Sequence, residues 1–111
     1  MPDPIPYDHF ARVELRVARV LEARPHPNAD KLLLLKIELA DGETRQIVAG
    51  IRQHYEPDAL VGRRIVVVAN LEPAIIRGET SQGMLLAATS GDKVVLLQPD
   101  DPECLVGAKV K

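Results

Sequence analysis

The chain has 111 residues, enough for one domain with a single core and too few for two. With 46% hydrophobic and 27% charged residues and a net charge of −2, it is neither a disordered chain nor a strongly basic nucleic-acid binder. No apolar run nears the ~20 residues that span a bilayer, residues 1–6 lack the basic start and apolar stretch of a secretory signal, and a lone Cys104 excludes an intrachain disulfide or a multi-cysteine metal site.

Those features predict a cytoplasmic protein with no membrane partner. Prolines alternate at positions 2, 4 and 6, so residues 1–7 are expected to form an extended arm and residues 8–111 the domain. From 13 to 23 apolar residues recur with a period near two, which predicts a long strand with a bulge or bend around Ala18 and Arg19. Residues 24–30, with two prolines and an asparagine, read as a loop. Residues 32–39 and 44–48 flank Asp41-Gly42, a dipeptide suited to a tight hairpin turn.

Residues 50–60 switch to helical spacing through Ile51, Tyr55, Ala59 and Leu60, although Pro57 has to start a second short segment. A strand over 64–69 follows Gly62. Residues 77–83 are small and polar between two apolar runs, which predicts an ordered loop offering amides, hydroxyls and one guanidinium to a partner. Residues 84–89 and 94–98, joined by Ser90-Gly91-Asp92, form a last hairpin. Three strands, a short helical insert and further strands suit an all-β, five-stranded OB barrel, and an SH3-like barrel fits the same propensities.

Enzymatic chemistry finds little to work with. Gly78 and Gly83 have the spacing of a phosphate-loop pair, yet Met84-Leu85 follow where Lys and Ser or Thr are required. Ser81 lies one residue too far from Gly78 for a nucleophile elbow, and His9, His26 and His54 have no patterned acidic partner. His26 and Asp30 are flanked by Pro25 and Pro27, which prevent a shared helical face, and two ligands cannot complete a zinc site. His26 is therefore expected to be a loop histidine and Cys104 a packing residue.

Charge and aromatic content narrow the ligand. Residues 9–77 carry a small cationic excess and the remainder an acidic one, with Asp3 and 100–103 expected to lie away from any bound polyanion. Single-strand binders depend on stacking worth ~1–3 kcal/mol per base, and this chain has no Trp, one Phe and two Tyr. Phe10 is expected in the core, Tyr55 against the barrel, and Tyr7 alone free. A folded RNA met through backbone and shape suits this composition better.

Asn70-Leu71, Arg77-Gly78 and Ser81-Gln82-Gly83-Met84-Leu85-Leu86 resemble the signature of the tRNA-binding domain appended to methionyl-tRNA synthetases. The runs His26-Pro27-Asn28-Ala29-Asp30-Lys31-Leu32 and Arg45-Gln46-Ile47-Val48-Ala49-Gly50-Ile51 are similar to that domain too, and the likeness covers residues 8–111 in unbroken order. The family includes free-standing homodimers, β subunits and the related domain of endothelial monocyte-activating polypeptide II. The resemblance implies a non-catalytic OB-fold, without cofactor, that grips the outer corner of the tRNA L-shape, free or as an aid to a methionyl-tRNA synthetase catalytic subunit.

Carried onto matching positions, the resemblance implies a tRNA-facing set of Asn28, Lys31, Arg45, Asn70, Arg77, Ser81, Gln82 and Met84. Lys31, Arg45 and Arg77 would meet phosphates, Asn28, Ser81 and Gln82 sugar or phosphate oxygens, and Met84 a base or ribose. Turn roles for the two asparagines and a core role for Met84 are the competing readings. Glu72 and 74–76 depart from the family by lacking basic residues, which implies weaker, less salt-sensitive binding. The resemblance also implies a homodimer through the termini, with Ile5, Tyr7, Phe10, Leu105 and Val110 at the interface. Met1 and the short arm favour a separate polypeptide. A secretion-related peptide-binding chaperone of the same dimeric fold is the alternative.

Overall fold

A computed structural model describes residues 2–40 and 42–111. It orders the chain as α1 (Tyr7–Ala11), β1 (Leu15–Pro25), β2 (Leu33–Ala40), β3 (Glu43–Ala49), α2 (Pro57–Leu60), β4 (Arg64–Val68), β5 (Ala74–Ile76), β6 (Glu79–Ser81), β7 (Met84–Leu85), β8 (Ala87–Ser90), β9 (Lys93–Leu96) and β10 (Lys109–Val110). The main sheet runs β3-β2-β1-β4-β7, with β10 added to the start of β1. All its pairings are antiparallel. This curled five-stranded path with a small helical insert is the all-β OB-type fold expected from the sequence.

Alternation sets which face is inside. Ala18 and Val20 of β1, Leu33, Leu35, Ile37 and Leu39 of β2, Ile47 and Ala49 of β3, and Ile65 and Val67 of β4 share one apolar core. Leu60 of α2 and Ile51 plug one end of it. Tyr55 packs there as expected, and its hydroxyl accepts a hydrogen bond from Leu96 N at 3.1 Å. Each of these large side chains contributes ~1.5–3 kcal/mol of burial.

Several boundaries differ from the sequence expectation for identifiable reasons. Tyr7 is already helical, and Phe10 belongs to α1, not to a strand; it is 41% exposed and not in the core. Pro6 ends the extended segment and sets the first turn, while Val13 N donates to Phe10 O, so β1 begins only at Leu15. The β1 bulge falls between Val20 and Glu22, beyond the expected Ala18–Arg19, because β1 leaves β4 there and pairs instead with the α2–β4 turn. Asp41 lies outside the described residues, so the Asp41-Gly42 turn is represented by Gly42 alone, whose φ is +75°.

Residues 74–81 form a hairpin of their own, β5 paired with β6. The apolar run 84–89 is split, β7 staying with β4 while β8 turns away to pair with β9. Leu86 is the corner, donating to Val66 O and accepting from Leu97 N. Among the described residues no helix is long and apolar enough to cross a membrane.

Gly83 sits at φ +135°, and a Cβ there would lie 2.8 Å from the Val68 carbonyl oxygen. Gly83→Ala is expected to lose about 2 kcal/mol or more in urea unfolding, from combined backbone strain and collision. Wild-type stability in that variant would mean the segment is not held against β4.

Candidate nucleic-acid interface

Two loops far apart in sequence are fastened into one rim. His26 is 2% exposed, and its Nδ1 accepts from Asn28 N at 2.9 Å. That contact leaves the proton on Nε2, which donates to Ile76 O at 3.0 Å across to the β5–β6 hairpin. Asn28 and Arg77 then tie reciprocally: Arg77 Nη2 donates to Asn28 O at 3.2 Å, and Asn28 Nδ2 reaches Arg77 O at 3.5 Å. His26 is thus a buried brace, a role its position between two prolines did not advertise.

Lys31 and Arg77 line one shallow depression beside this tie, together with Ala29, Asp30 and Leu32. Arg52, which sequence reasoning missed, holds the loop beneath by donating to Ala29 O at 3.0 Å. Arg77 itself has φ +53°, the one positive φ outside glycine among the described residues, and Gly78 follows at +90°. Both central residues of this hairpin turn need positive φ, a place for Asn-Gly. An arginine there costs on the order of 1 kcal/mol.

The next part of the rim closes the barrel. β3 and β7 share no ladder, so the gap is bridged by the segment after β6. Ser81 is 4% exposed; its Oγ accepts from Val48 N and donates to Gly83 O, each at 2.9 Å. Gln82 N donates to Gln46 O at 2.8 Å, and Gln82 Oε1 accepts from Gln46 N at 3.3 Å. Gln46 Nε2 completes the clasp with Thr80 O and Glu79. Ser81, expected on the ligand surface, is therefore an internal strut, because β3 is an edge whose Val48 amide has no strand to receive it.

Met84 is the converse case. It is 48% exposed and not core, and it edges an apolar hollow of about 330 Å³ with Val48, Leu71 and Ile76. Gln82 also borders a wider groove of about 630 Å³ on the outer face of β1–β3, where Arg24, Lys36, Arg45 and Glu22 contribute the charges. Arg24, expected in a loop, lies instead near the end of β1.

Arg45 and Asn70 are largely committed within the fold. Arg45 donates to Ala69 O and pairs with Glu43 at 3.1 Å. Asn70 Oδ1 accepts from Glu14 N at 2.8 Å while its Nδ2 donates to Arg12 O at 2.6 Å, pinning the strand entry after α1. Beside them the hydrogen bond and charge of Arg16, 2.7 Å away, hold the Glu14 carboxyl below the usual carboxylate range. That pair is present at neutral pH and is lost as pH falls through the lowered value.

An OB-type barrel with a cationic and amide-rich rim made by its first loop, its β5–β6 hairpin and the outer face of β1–β3 belongs to the nucleic-acid-binding class of such folds. The family model described as "Putative tRNA binding domain" matches residues 15–107. The chain belongs to this tRNA-binding domain family. It is 58% identical over 106 residues to a methionine–tRNA ligase of Thermotoga maritima, covering 96% of this chain. The chain spans 14–17% of the length of the curated relatives it matches. Among solved structures it resembles a MetRS-related protein from Pyrococcus horikoshii, with a TM-score of 0.90, 33% identity, and 99% and 100% of the two chains covered. It also resembles the chaperone CsaA of Bacillus anthracis, with a TM-score of 0.87, 29% identity, and 98% and 100% coverage.

Ser81→Ala removes the acceptor for a buried amide, so it is expected to cost about 1–3 kcal/mol in thermal or urea unfolding. Ser81→Thr, which keeps the hydroxyl, restores part of that loss. Equal stability of Ser81→Ala and wild type would return Ser81 to the surface set.

Proposed function

We propose that this chain is a non-catalytic module that binds folded tRNA at the outer corner of its L-shape, free or alongside a methionyl-tRNA synthetase whose affinity for tRNA it raises. Arg77 is the observation that carries the reading. A residue type ill suited to a left-handed turn is kept at the tip of a braced hairpin, exposed, beside Lys31 and Asn28. Strain of this kind supports a functional demand for the guanidinium.

Lys31 and Arg77 are assigned to phosphates, and Asn28 and Gln82 to sugar or phosphate oxygens. Met84 is assigned to an exposed base or ribose. Asn70, Arg45 and Ser81 support the rim from beneath. The few free cations fit modest affinity and recognition by contour, since the surface offers no row of stacking aromatics.

A peptide-binding chaperone is the second reading, favoured by the apolar hollow at Met84, Leu71 and Ile76 and by the likeness to CsaA. A titration with folded tRNA, the same tRNA unfolded, single-stranded DNA and a denatured polypeptide separates the two. Selective retention of folded tRNA supports the first reading; capture of the polypeptide alone overturns it in favour of the chaperone. Arg77→Asn is expected to keep or raise the melting temperature by relieving the turn, to lower tRNA affinity about tenfold, and to flatten the salt slope by about 0.7–0.9. A variant that binds as wild type would remove Arg77 from the interface.

The module is further proposed to act as a homodimer. Helix α1 buries no residue on its own chain, and Ile5, Tyr7 and Leu105 are 64%, 75% and 79% exposed, with the Phe10 ring tilted against Tyr7 at 6.3 Å between centroids. Val110 pairs with Leu15 across β10 and β1, so it lends that surface its backing. Two modest rims on a symmetric pair lengthen the contact with one RNA. Tyr7→Ser with Phe10→Ser is expected to sediment as a monomer where the unmodified chain sediments as a dimer; a monomeric unmodified chain would contradict the proposal.

A further inference from the structure

The outer face of the sheet carries a cationic pair that the rim described above does not use. Arg19 of β1 and Arg64 of β4 are direct cross-strand partners, so their side chains stand together on one face. Like charges placed opposite one another destabilise a sheet unless an anion relieves them. The available carboxylate, Glu38, reaches Arg19 Nη2 at 3.1 Å from the other side and leaves Arg64 with the Gly62 carbonyl at 3.4 Å. The Nε atoms of both arginines are shielded from solvent, and neither has a hydrogen-bond partner. That shielding shows both side chains laid against the sheet, which holds the two guanidinium groups beside each other.

A third guanidinium lies close by. Arg63 is held over the Tyr55 ring, 5.6 Å from its centroid, which fixes its direction without consuming its charge. Arg63 and Arg64 line a cleft of about 480 Å³ together with Gln98, Pro99, Asp100 and Pro102. Asp100, expected from the sequence to lie away from a bound polyanion, is exposed in this cleft and forms no ion pair with either arginine among the described residues. Val61 borders both this cleft and the groove over β1–β3, so the two are neighbours on the surface.

We infer that the Arg63–Arg64 cleft, backed by Arg19, is a phosphate subsite that receives a phosphodiester of the RNA whose backbone runs along the groove past Val61. The inference rests on the tRNA reading. A tetrahedral phosphate offers oxygens to two guanidinium groups at once, and it neutralises the Arg19–Arg64 repulsion. The subsite lies beyond the signature hairpin and extends the footprint from the rim across the sheet.

The test uses the full chain with Arg64→Gln and, separately, Arg64→Lys, each titrated with folded tRNA over a salt series beside Arg77→Asn. Arg64→Gln is expected to weaken binding three- to tenfold and to flatten the slope of log affinity against log salt by about 0.7–0.9, with an unchanged or higher melting temperature. Arg64→Lys is expected to keep the slope and lose part of the affinity, because the charge remains and the fork does not. As a second readout, the Nε–H resonances of Arg19 and Arg64 are expected to move when folded tRNA is added, and to move less with inorganic phosphate at equal phosphate concentration. Unchanged affinity and slope in Arg64→Gln, with Arg77→Asn still impaired, overturns the subsite and leaves the tRNA reading standing. Unchanged binding in both variants, or no retention of tRNA by the unmodified chain, overturns both. Shifts as large with inorganic phosphate as with tRNA would reduce the cleft to a general anion site and overturn its assignment to RNA.

Discussion

The barrel stays shut because one short segment substitutes for a missing strand ladder. β3 ends the sheet as an edge, and β7 is only two residues long, so nothing regular joins them. The hydroxyl of Ser81, the amide and side chain of Gln82, and the absence of a Cβ at Gly83 supply the junction instead. Unpaired edge amides that are also out of water are costly, which is why a buried hydroxyl here is worth more to the fold than it could be as a surface contact. Placement of the β5–β6 hairpin, and with it Arg77, follows from this junction.

The second consequence is rigidity at the place where loops are usually loose. His26 connects the first loop to the hairpin through both ring nitrogens, and Asn28 and Arg77 repeat the connection at the surface. A rim built this way loses little conformational freedom on binding, so few cations can suffice. That fits a chain whose net charge is −2 and whose positions 72 and 74–76 hold an acid and apolar residues. The recognition by contour proposed above also accounts for the small number of aromatics.

Much of the fold was legible in the sequence. Alternation located β1 to β4, Pro57 marked α2, and Ser90-Gly91-Asp92 marked the last hairpin. What escaped had a physical reason in each case. Phe10 and Val13 mimic strand spacing although Pro6 starts a helical turn. The apolar run through Leu86 contains no breaker at the corner where β7 gives way to β8. The Arg77-Gly78 turn hid a hairpin because its first residue is not one that favours positive φ. Of the expected site residues, Asn28, Lys31 and Arg77 come together, whereas Ser81, Asn70 and Arg45 are turned largely to structural use. A hydroxyl or amide that satisfies a distant backbone group carries no local sequence signal, and His26 and Arg52 were hidden for the same reason.

Amide NMR mapping of the full chain with folded tRNA tests the central claim most directly. The account predicts that shifts and broadening concentrate on residues 26–32, 74–84 and the outer face of β1–β3, and that they disappear when the same tRNA is unfolded. Perturbations confined to α1 and β8–β9, or equal effects from folded and unfolded RNA, would contradict recognition of shape by this rim.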